Sequence, residues 1–303
     1  MMTPKQLFDI GYHLNTWDLS GQMDTAFQTL SEAGIKWYEP LVKDSMSDDF
    51  CRRYITQRSV ALPPRHSDVY MLERIAAFSN AELDHDMKLA GLYVNAEMLR
   101  PNLWPHEWAV IQATVRLLRA YGSDLLIMGG GPAARFRPHA PEEYRAFADK
   151  LEAIGAYTAR LGIRTVYHPH MDCFIETREQ LDRLMDILDT SLVGLCVDPA
   201  HLLLCGSDPV DILDTYIAHV GHVHFKDCRG DLAALQGADR YRAFCELGDG
   251  HVDLAGMTRV LLKHGYDKLV ILELDATDKP ARDSCQDNVR YVTETLGLQL
   301  NVK

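Results

Sequence analysis

The stretch Ile163-Arg164-Thr165-Val166-Tyr167-His168-Pro169-His170 joins a short run of strand-forming residues to two histidines. Three later segments repeat this arrangement. Asp198-Pro199-Ala200-His201 follows Val193–Val197, His222-Val223-His224 follows His219-Val220-Gly221, and Glu273 follows Lys268–Leu272. Parallel strands bring their carboxyl ends to one face of a barrel. The series therefore predicts a single divalent metal ion at that face, in a position to take part in chemistry.

The distances along the chain fit a (β/α)₈ TIM barrel. His168 and Asp198 are 30 positions apart, and Asp198 and His224 are 26 apart. A barrel of roughly 250 residues uses about 30 residues for each strand and helix. Glu273 follows His224 by 49 positions, which leaves room for one further unit and a long loop at Arg229 to Asp249.

Strand and helix patterns alternate along the chain without a break in composition, which predicts one α/β domain over residues 1–303. Thr177 with Gln180 is a capping box, and Asp208-Pro209 is an N-cap followed by proline, so both predict helix starts. The other predicted strands are Phe8–His13, Ile35–Glu39, Leu92–Glu97 and Leu125–Met128, and the other predicted helices are Met23–Ala33, Glu82–Ala90, Trp108–Tyr121 and Tyr144–Leu161.

Residues 43–80 do not follow this alternation. They form either an insertion after the second strand or a region that contains the third strand, at Arg58–Leu62. The helix-to-strand junction at Lys88-Leu89-Ala90-Gly91 favours the insertion. An insertion after a strand would lie on the active face and could help to select substrate, although a surface excursion explains the segment equally well.

The composition of the chain limits the classes of partner and substrate that the protein can have. The 303 residues are 47% hydrophobic and 24% charged, with a net charge of -12 that disfavours nucleic acid as a partner. We find no signal peptide pattern and no apolar run long enough to span a bilayer. The seven cysteines form no CxxC pair, which predicts reduced thiols and a cytoplasmic location. A neutral polyol or a small keto sugar suits this charge better as a substrate.

The candidate metal ligands are His168, Asp198, His224 and Glu273. This mixture of nitrogen and oxygen donors suits Mn²⁺ or Co²⁺ first, with Zn²⁺, Fe²⁺ and Mg²⁺ as alternatives, and suits Ca²⁺ poorly. Residues two apart in a strand share a face, so His222 would lie one layer deeper than His224. Any one of these histidines could instead be a hydrogen-bonded core residue.

Further polar positions end the first two strands. His13, Asn15 and Trp17 alternate after strand one, and Glu39 ends strand two, so all four are candidates for substrate binding or for burial in the core. Gly129-Gly130-Gly131 lacks the remaining residues of a phosphate-binding loop and predicts a tight turn.

The segments Thr165–Met171, Val193–His201, Gly221–Asp227 and Leu247–Asp253 resemble the xylose-isomerase-like TIM-barrel superfamily, which contains sugar epimerases, hydroxypyruvate isomerase, AP endonucleases and inosose dehydratase. The resemblance runs from about Leu161 to Leu296 and is strongest to the inosose dehydratases, because of the Tyr-His-x-His-Met sequence. The first 120 residues match only in layout.

The resemblance implies a function. Keto-sugar epimerases of this superfamily hold their metal with Glu, Asp, His and Glu, and two of those glutamates are the bases that exchange protons on opposite faces. Asp198, His224 and Glu273 match the last three places, but His168 replaces the first glutamate. With one base lost, the resemblance implies elimination of water from a keto-polyol such as 2-keto-myo-inositol, through an enolate.

In this hypothesis Glu273 removes the proton next to the ketone. His170 or His201, with pKa values expected near neutral, would protonate the leaving hydroxyl, and Lys226 would polarise or orient the substrate. The alternatives are a metal-dependent keto-sugar epimerase or isomerase, a lyase acting on 3-keto-glycosides, and a non-catalytic sugar-binding barrel. AP endonuclease activity is disfavoured by the acidic charge, and a homo-oligomer remains open.

Overall fold

A computed structural model describes residues 5–17, 22–40, 82–132, 138–235 and 237–303. Its parallel strands run in sequence around a barrel, and the last pairs with the first, Ile10 being opposite Val270. The chain is therefore a (β/α)₈ TIM barrel, as predicted. The strands are β1 (Ile10–His13), β2 (Trp37–Glu39), β3 (Lys88–Leu89 and Leu92–Ala96), β4 (Leu125–Gly130), β5 (Arg164–Tyr167), β6 (Val193–Val197), β7 (Val220–Phe225) and β8 (Val270–Leu272).

Strand β3 closes the barrel in two pieces. Its first piece, Lys88–Leu89, pairs with β2, and its second piece, Leu92–Ala96, pairs with β4. The prediction that Glu82–Ala90 is helical is wrong at its end, because the helix stops at residue 85 and Asp86 takes a positive φ of 53°. A helix cannot continue through that backbone conformation, so the following residues are free to join the sheet.

Helices cover the outside of the barrel, and the two predicted start signals are confirmed. The Thr177 hydroxyl accepts a hydrogen bond from the Gln180 amide, and the Asp208 carboxylate accepts from the amide of Val210. The helices are α1 (Met23–Glu32), α2 (Trp104–Tyr121), α3 (Pro141–Ala159), α4 (Arg178–Met185), α5 (Pro199–Leu204), α6 (Pro209–Tyr216), α7 (Leu254–Lys263) and α8 (Ala281–Arg290).

The hydrophobic core has an outer and an inner part. The outer faces of the strands pack against the helices and make the large cluster, to which Leu92, Val94 and Ala96 of β3 belong. The inner part fills the barrel with Leu125, Ile127, Val166 and Cys196, against which Tyr93 packs. This layer is the floor on which the polar residues at the strand ends stand.

The long loop predicted at Arg229 to Asp249 carries some regular structure. A two-stranded antiparallel ribbon pairs Asp227–Cys228 with Phe244–Cys245, and a 3₁₀ helix spans Gly237–Ala243. The carboxylate of Asp227 ties the next turn to the barrel, because it accepts hydrogen bonds from the amides of Gly248, Gly250 and Val252.

The insertion predicted at residues 43–80 lies outside the described residues. Within the described ranges, no helix is long and apolar enough to cross a membrane. The six cysteines of the described part are all free, namely Cys173, Cys196, Cys205, Cys228, Cys245 and Cys285.

Candidate metal centre and active site

The ends of β5 to β8 bring four side chains to one point. His168, Asp198, His224 and Glu273 each offer one donor atom, and these four atoms all lie within 4.8 Å of one another. His168 Nε2 is 3.6 Å from Asp198 Oδ2, which in turn is 3.7 Å from His224 Nδ1. His224 Nδ1 is 2.7 Å from Glu273 Oε2. All four residues are at most 5% exposed.

Three of the four donor atoms are buried and make no hydrogen bond to any described residue, namely Asp198 Oδ2, His224 Nδ1 and Glu273 Oε2. Of these, Asp198 Oδ2 also lies 3.2 Å from the ammonium of Lys226. A buried carboxylate or imidazole without a partner is costly, and coordination of a metal ion would satisfy it. Two nitrogens and two carboxylate oxygens also match the preference of divalent transition metals. The residues present therefore fit one divalent metal ion.

The helix that follows β6 fixes Asp198 in place. Asp198 is the N-cap of α5, and its Oδ1 accepts hydrogen bonds from the amides of Ala200 at 3.0 Å and His201 at 3.3 Å. This use of Oδ1 leaves Oδ2 free to face the other three donor atoms. Burial would raise the pKa of Asp198, but Lys226 and His201 outweigh it and hold the pKa well below its usual value.

Glu39 lies beneath this group and holds two histidines. His224 Nε2 donates to Glu39 Oε1 at 3.0 Å, and His222 Nε2 donates to Glu39 Oε2 at 2.7 Å. Burial would raise the pKa of Glu39, but the two histidines outweigh it and lower the pKa. Because both oxygens are occupied and the side chain is fully buried, the position suits a residue that orients His224 better than one that contacts substrate.

His224 is surrounded by negative charge. Burial alone would lower its pKa, but Cys196, Glu273 and Glu39 outweigh it and raise the pKa well above 6.5. The surroundings of His224 therefore favour a positive charge, which a metal ion could also supply. The Glu39 hydrogen bond directs the Nδ1 atom of His224 towards Asp198 and Glu273.

Lys226 lies beside the metal ligands, among three carboxylates. Its Nζ is 3.2 Å from Asp198 Oδ2, 3.1 Å from Glu273 Oε1 and 3.2 Å from Asp275 Oδ2. Burial would lower the pKa of Lys226, but Asp198, Asp275 and Glu273 outweigh it and raise the pKa well above 10.5. Lys226 therefore carries a fixed positive charge inside the site.

Asp275 belongs to this cluster and was missed from the sequence. Asn15 Nδ2 donates to both Glu273 Oε1 and Asp275 Oδ1, each at 2.9 Å. Burial raises the pKa of Asp275, and the nearby carboxylates of Glu273 and Asp198 add to this against the charge of Lys226. The signal was available, because Asp275 follows Glu273 by two residues, as His224 follows His222.

His170 and His201 lie side by side at the mouth, with ring centroids 3.5 Å apart. The expectation of near-neutral pKa values is wrong. Burial, aided by His168 and Lys226, lowers the pKa of His170 to about 3. Burial, aided by His170 and Lys226, also lowers the pKa of His201 well below 6.5. Both rings are therefore neutral at pH 7. His201 Nε2 lies 3.1 Å from the ammonium of Lys226 and is placed to accept its hydrogen bond.

The other two predicted substrate contacts are largely covered. His13 is 1% exposed, with its Nε2 3.7 Å from Glu39 Oε1. Trp17 is 6% exposed and packs edge-on against Tyr12, as part of the large hydrophobic cluster. Asn15, between them, is the residue of this group whose side chain reaches the charged cluster.

Two loops meet above His170 and His201. Arg240, in the 3₁₀ helix, pairs with Asp172 and lies 3.7 Å from Glu176, so it joins the loop after β7 to the loop after β5. The loop after β7 also places Tyr241 near His170 and Phe244 near His201. These contacts make one wall of the mouth from aromatic rings.

Comparison with known proteins agrees with this architecture. The family model described as "Xylose isomerase-like TIM barrel" matches residues 54–295, which is most of the chain. The chain belongs to this family. Similar curated relatives are named inosose dehydratase. The one from Clostridium perfringens (strain ATCC 13124) is 36% identical over 143 residues, which is 44% of this chain and 48% of that protein. The one from Lacticaseibacillus casei is 33% identical over 155 residues, 48% and 51% respectively.

The match therefore spans about half the length of these curated relatives. Solved structures of this barrel family match over almost the whole chain. The IOLI protein "with a binding zinc atom" has a TM-score of 0.72 at 15% identity, covering 96% of this chain and 98% of that one. The probable 3-DHS dehydratase AsbF from Bacillus anthracis has a TM-score of 0.71 at 13% identity, covering 93% and 98%. At these identities the structures support the fold alone.

Proposed function

We propose that this protein is a divalent-metal-dependent lyase that eliminates water from a keto-polyol such as 2-keto-myo-inositol. The convergence of His168, Asp198, His224 and Glu273 within 4.8 Å is the observation that carries the proposal. The relatives named inosose dehydratase support the choice of reaction, since they share about a third of their residues with this chain over the matched segment.

The four donor side chains would hold the metal ion, with Mn²⁺ or Co²⁺ as our first choice. A divalent ion bound there would supply a Lewis acid that stabilises negative charge on the ketone oxygen as the neighbouring C–H bond breaks. Below this centre, Glu39 orients the ring of His224 through a hydrogen bond. Above it, the side-chain amide of Asn15 donates hydrogen bonds to Glu273 and Asp275 and so orients both.

Glu273 is our proposed base for the proton next to the ketone. Its Oε1 accepts hydrogen bonds from Asn15 and lies 3.1 Å from Lys226 Nζ, so its position is fixed from two sides. Asp275 shares both of these partners and lies beside it, where it can take up the proton in turn. The electron pair of the broken C–H bond first moves towards the ketone oxygen to give the enolate. It then forms the new C=C bond as the C–O bond of the β-hydroxyl breaks and the ketone C=O bond is restored.

The departing hydroxyl needs one proton to leave as water. The two mouth histidines are neutral at pH 7, and the raised pKa of Lys226 keeps its proton on the ammonium. We therefore assign the proton to Asp275, which takes it from Glu273 and whose pKa is raised by burial. The fixed ammonium of Lys226 stabilises negative charge that develops on a substrate oxygen nearby.

The test is an assay of metal-stripped and reconstituted protein on 2-keto-myo-inositol. We expect loss of water and an absorbing enol or diketone product in protein loaded with Mn²⁺ or Co²⁺, and no turnover in stripped protein. The same incubation in heavy water separates dehydration from epimerisation, since an epimerase would exchange label and retain the hydroxyl. Reconstituted protein that binds one metal ion and leaves the ketone unchanged would contradict the proposal.

A further inference from the structure

A pair of polar side chains lines the opposite side of the barrel mouth from Lys226. In β3, Leu92, Val94 and Ala96 are buried against the helices, whereas Tyr93 is partly exposed and Asn95 is exposed. Strand alternation directs Tyr93 and Asn95 to the inner face of the barrel. The ring of Tyr93 meets the ring of His168 edge-on, with centroids 5.6 Å apart, so this side chain adjoins the candidate metal centre.

Two glycines of the neighbouring strand leave room for these side chains. A Cβ atom on Gly129 would lie 1.9 Å from the Tyr93 hydroxyl, and a Cβ on Gly130 would lie 2.2 Å from Asn95 Oδ1. Real side chains do not tolerate such distances, so Tyr93 and Asn95 lie flat on β4 only because glycine stands at both positions. The tight turn predicted at Gly129-Gly130-Gly131 is wrong for the first two glycines, because both lie in β4, where their lack of a side chain makes this room.

The polar groups of this pair are available for a ligand. Among the described residues, the Tyr93 hydroxyl and the Asn95 amide make no hydrogen bond to the protein. By contrast, the Tyr167 hydroxyl on the adjoining strand is fully buried and donates to the Gly130 carbonyl at 3.3 Å. A phenol keeps its proton at neutral pH, so the Tyr93 hydroxyl can donate as well as accept.

We propose that Tyr93 and Asn95, backed by Gly129 and Gly130, form an uncharged subsite that binds hydroxyl groups of a polyol substrate. This inference rests on the proposed function and adds how the substrate is held. The carboxylates, histidines and Lys226 that bind and activate the ketone stand on β5 to β8, and the ring carbons that do not react need partners elsewhere. A phenol and an amide supply both donors and acceptors for neutral hydroxyls without competing for the metal ion.

The test compares variants that remove the hydroxyl with one that displaces it. We would titrate Mg²⁺-loaded protein with myo-inositol, a saturated polyol that cannot be dehydrated by this route, and measure Kd by calorimetry. Tyr93→Phe keeps the ring and should weaken binding about 3- to 10-fold, the effect of one lost hydrogen bond. Gly129→Ala keeps the hydroxyl but pushes it away, and should weaken binding to a similar degree. In the double variant the two losses should not add.

Tyr266→Phe is the matched control, because its hydroxyl donates to the Leu269 carbonyl in the loop before β8, away from the mouth. It should leave Kd for myo-inositol unchanged, and all variants should keep the metal affinity of the parent protein. The subsite is overturned if Tyr93→Phe and Gly129→Ala bind myo-inositol as tightly as the parent, or if the parent does not bind it. Tight binding by the parent without dehydration of 2-keto-myo-inositol would instead overturn the proposed function and leave the subsite intact.

Discussion

Strands β5 to β8 and strands β3 to β4 supply very different side chains to the same face of the barrel. The first group contributes His168, Asp198, His224 and Glu273, with Lys226 beside them. The second contributes Tyr93 and Asn95, laid over two glycines. The first set of side chains is thus dense in charge, whereas Tyr93 and Asn95 are uncharged.

In the proposed function, the residues that act in catalysis and the residues that bind the unreactive part of the substrate therefore lie on different sides of the barrel mouth. Positive charge that stabilises a developing enolate is most effective when it is fixed and buried, and the ammonium of Lys226 meets this requirement. The buried carboxylates beside it could hold a metal ion that would act in the same way. Hydroxyl groups that do not react are bound by neutral groups of modest energy, which can differ between related proteins without harm to the metal centre. Variants of the charged side should therefore lower kcat or metal affinity, whereas variants of Tyr93 and Gly129 should weaken the binding of myo-inositol.

The largest effect should come from Glu273→Gln on the charged side. The amide keeps the shape but loses both the negative charge towards the metal ion and the ability to accept the substrate proton. We expect kcat for 2-keto-myo-inositol to fall by at least about 1000-fold, within the range attributed to acid–base catalysis, while substrate binding remains measurable. Rapid-mix or end-point assays with matched metal content would show this. Unchanged turnover would remove Glu273 from the mechanism.

The next largest effect should come from Glu39, which lies beneath the metal ligands. Glu39→Gln can still accept one hydrogen bond but no longer fixes both His222 and His224 with a charge. We expect affinity for Co²⁺ to fall about 10- to 100-fold, as for other partners of metal-bound histidines. The visible absorption of bound Co²⁺ reports affinity independently of turnover. The exposed carboxylate of Asp86 gives a control, since Asp86→Asn should leave the affinity unchanged. Equal affinities in Glu39→Gln and the parent would refute this role.

Much of the charged side could be predicted from the sequence because its residues share a simple rule. Each candidate ligand follows a strand, and parallel strands end at one face, so the order of the chain gives their meeting point. Side chains also alternate along a strand, and this alternation would have indicated Asp275, two positions after Glu273. The barrel itself followed from the spacing of about 30 residues and from caps such as Thr177 and Asp208.

The remaining features depend on contacts that no local pattern encodes. Glu39 reaches His222 across 183 positions, so its part in orienting His224 could not be distinguished from substrate binding. Tyr93 and Gly129 fit together only through the pairing of neighbouring strands. The lowered pKa values of His170 and His201 arise from burial, which the sequence does not reveal.

A smaller effect concerns the pH dependence of stability on the charged side. The pKa of His170 is lowered to about 3 in the fold, whereas the unfolded chain has a value near 6.5. Below about pH 6.5 the unfolded state therefore binds a proton that the folded state does not, and the free energy of unfolding decreases as pH falls towards 3.

We expect His170→Gln to make this decrease shallower by up to about 1.4 kcal/mol per pH unit between pH 6 and 4. Urea denaturation of metal-free protein at several pH values gives the slope. Parallel curves for His170→Gln and the parent would contradict the neutral state of His170 in the fold.

The smallest effect tests the contact that joins the two loops of the charged side. Arg240 pairs with Asp172, and the side chains are 15% and 19% exposed. Asp172 has a positive φ of 63°, a conformation that asparagine also tolerates, so Asp172→Asn removes the charge without adding backbone strain. Arg240→Met removes the other partner.

A double-mutant cycle on unfolding free energy should give a coupling of about 1 kcal/mol for this partly buried pair. The exposed pair Arg183 and Glu179, one helical turn apart, should give only about 0.3 to 0.5 kcal/mol in the same experiment. Because the loops carry Tyr241 and Phe244, loss of the contact should also raise KM for the ketone about 3-fold, an energy of the same order as the coupling. A coupling no larger than that of the exposed pair would show that Arg240 does not hold the two loops together.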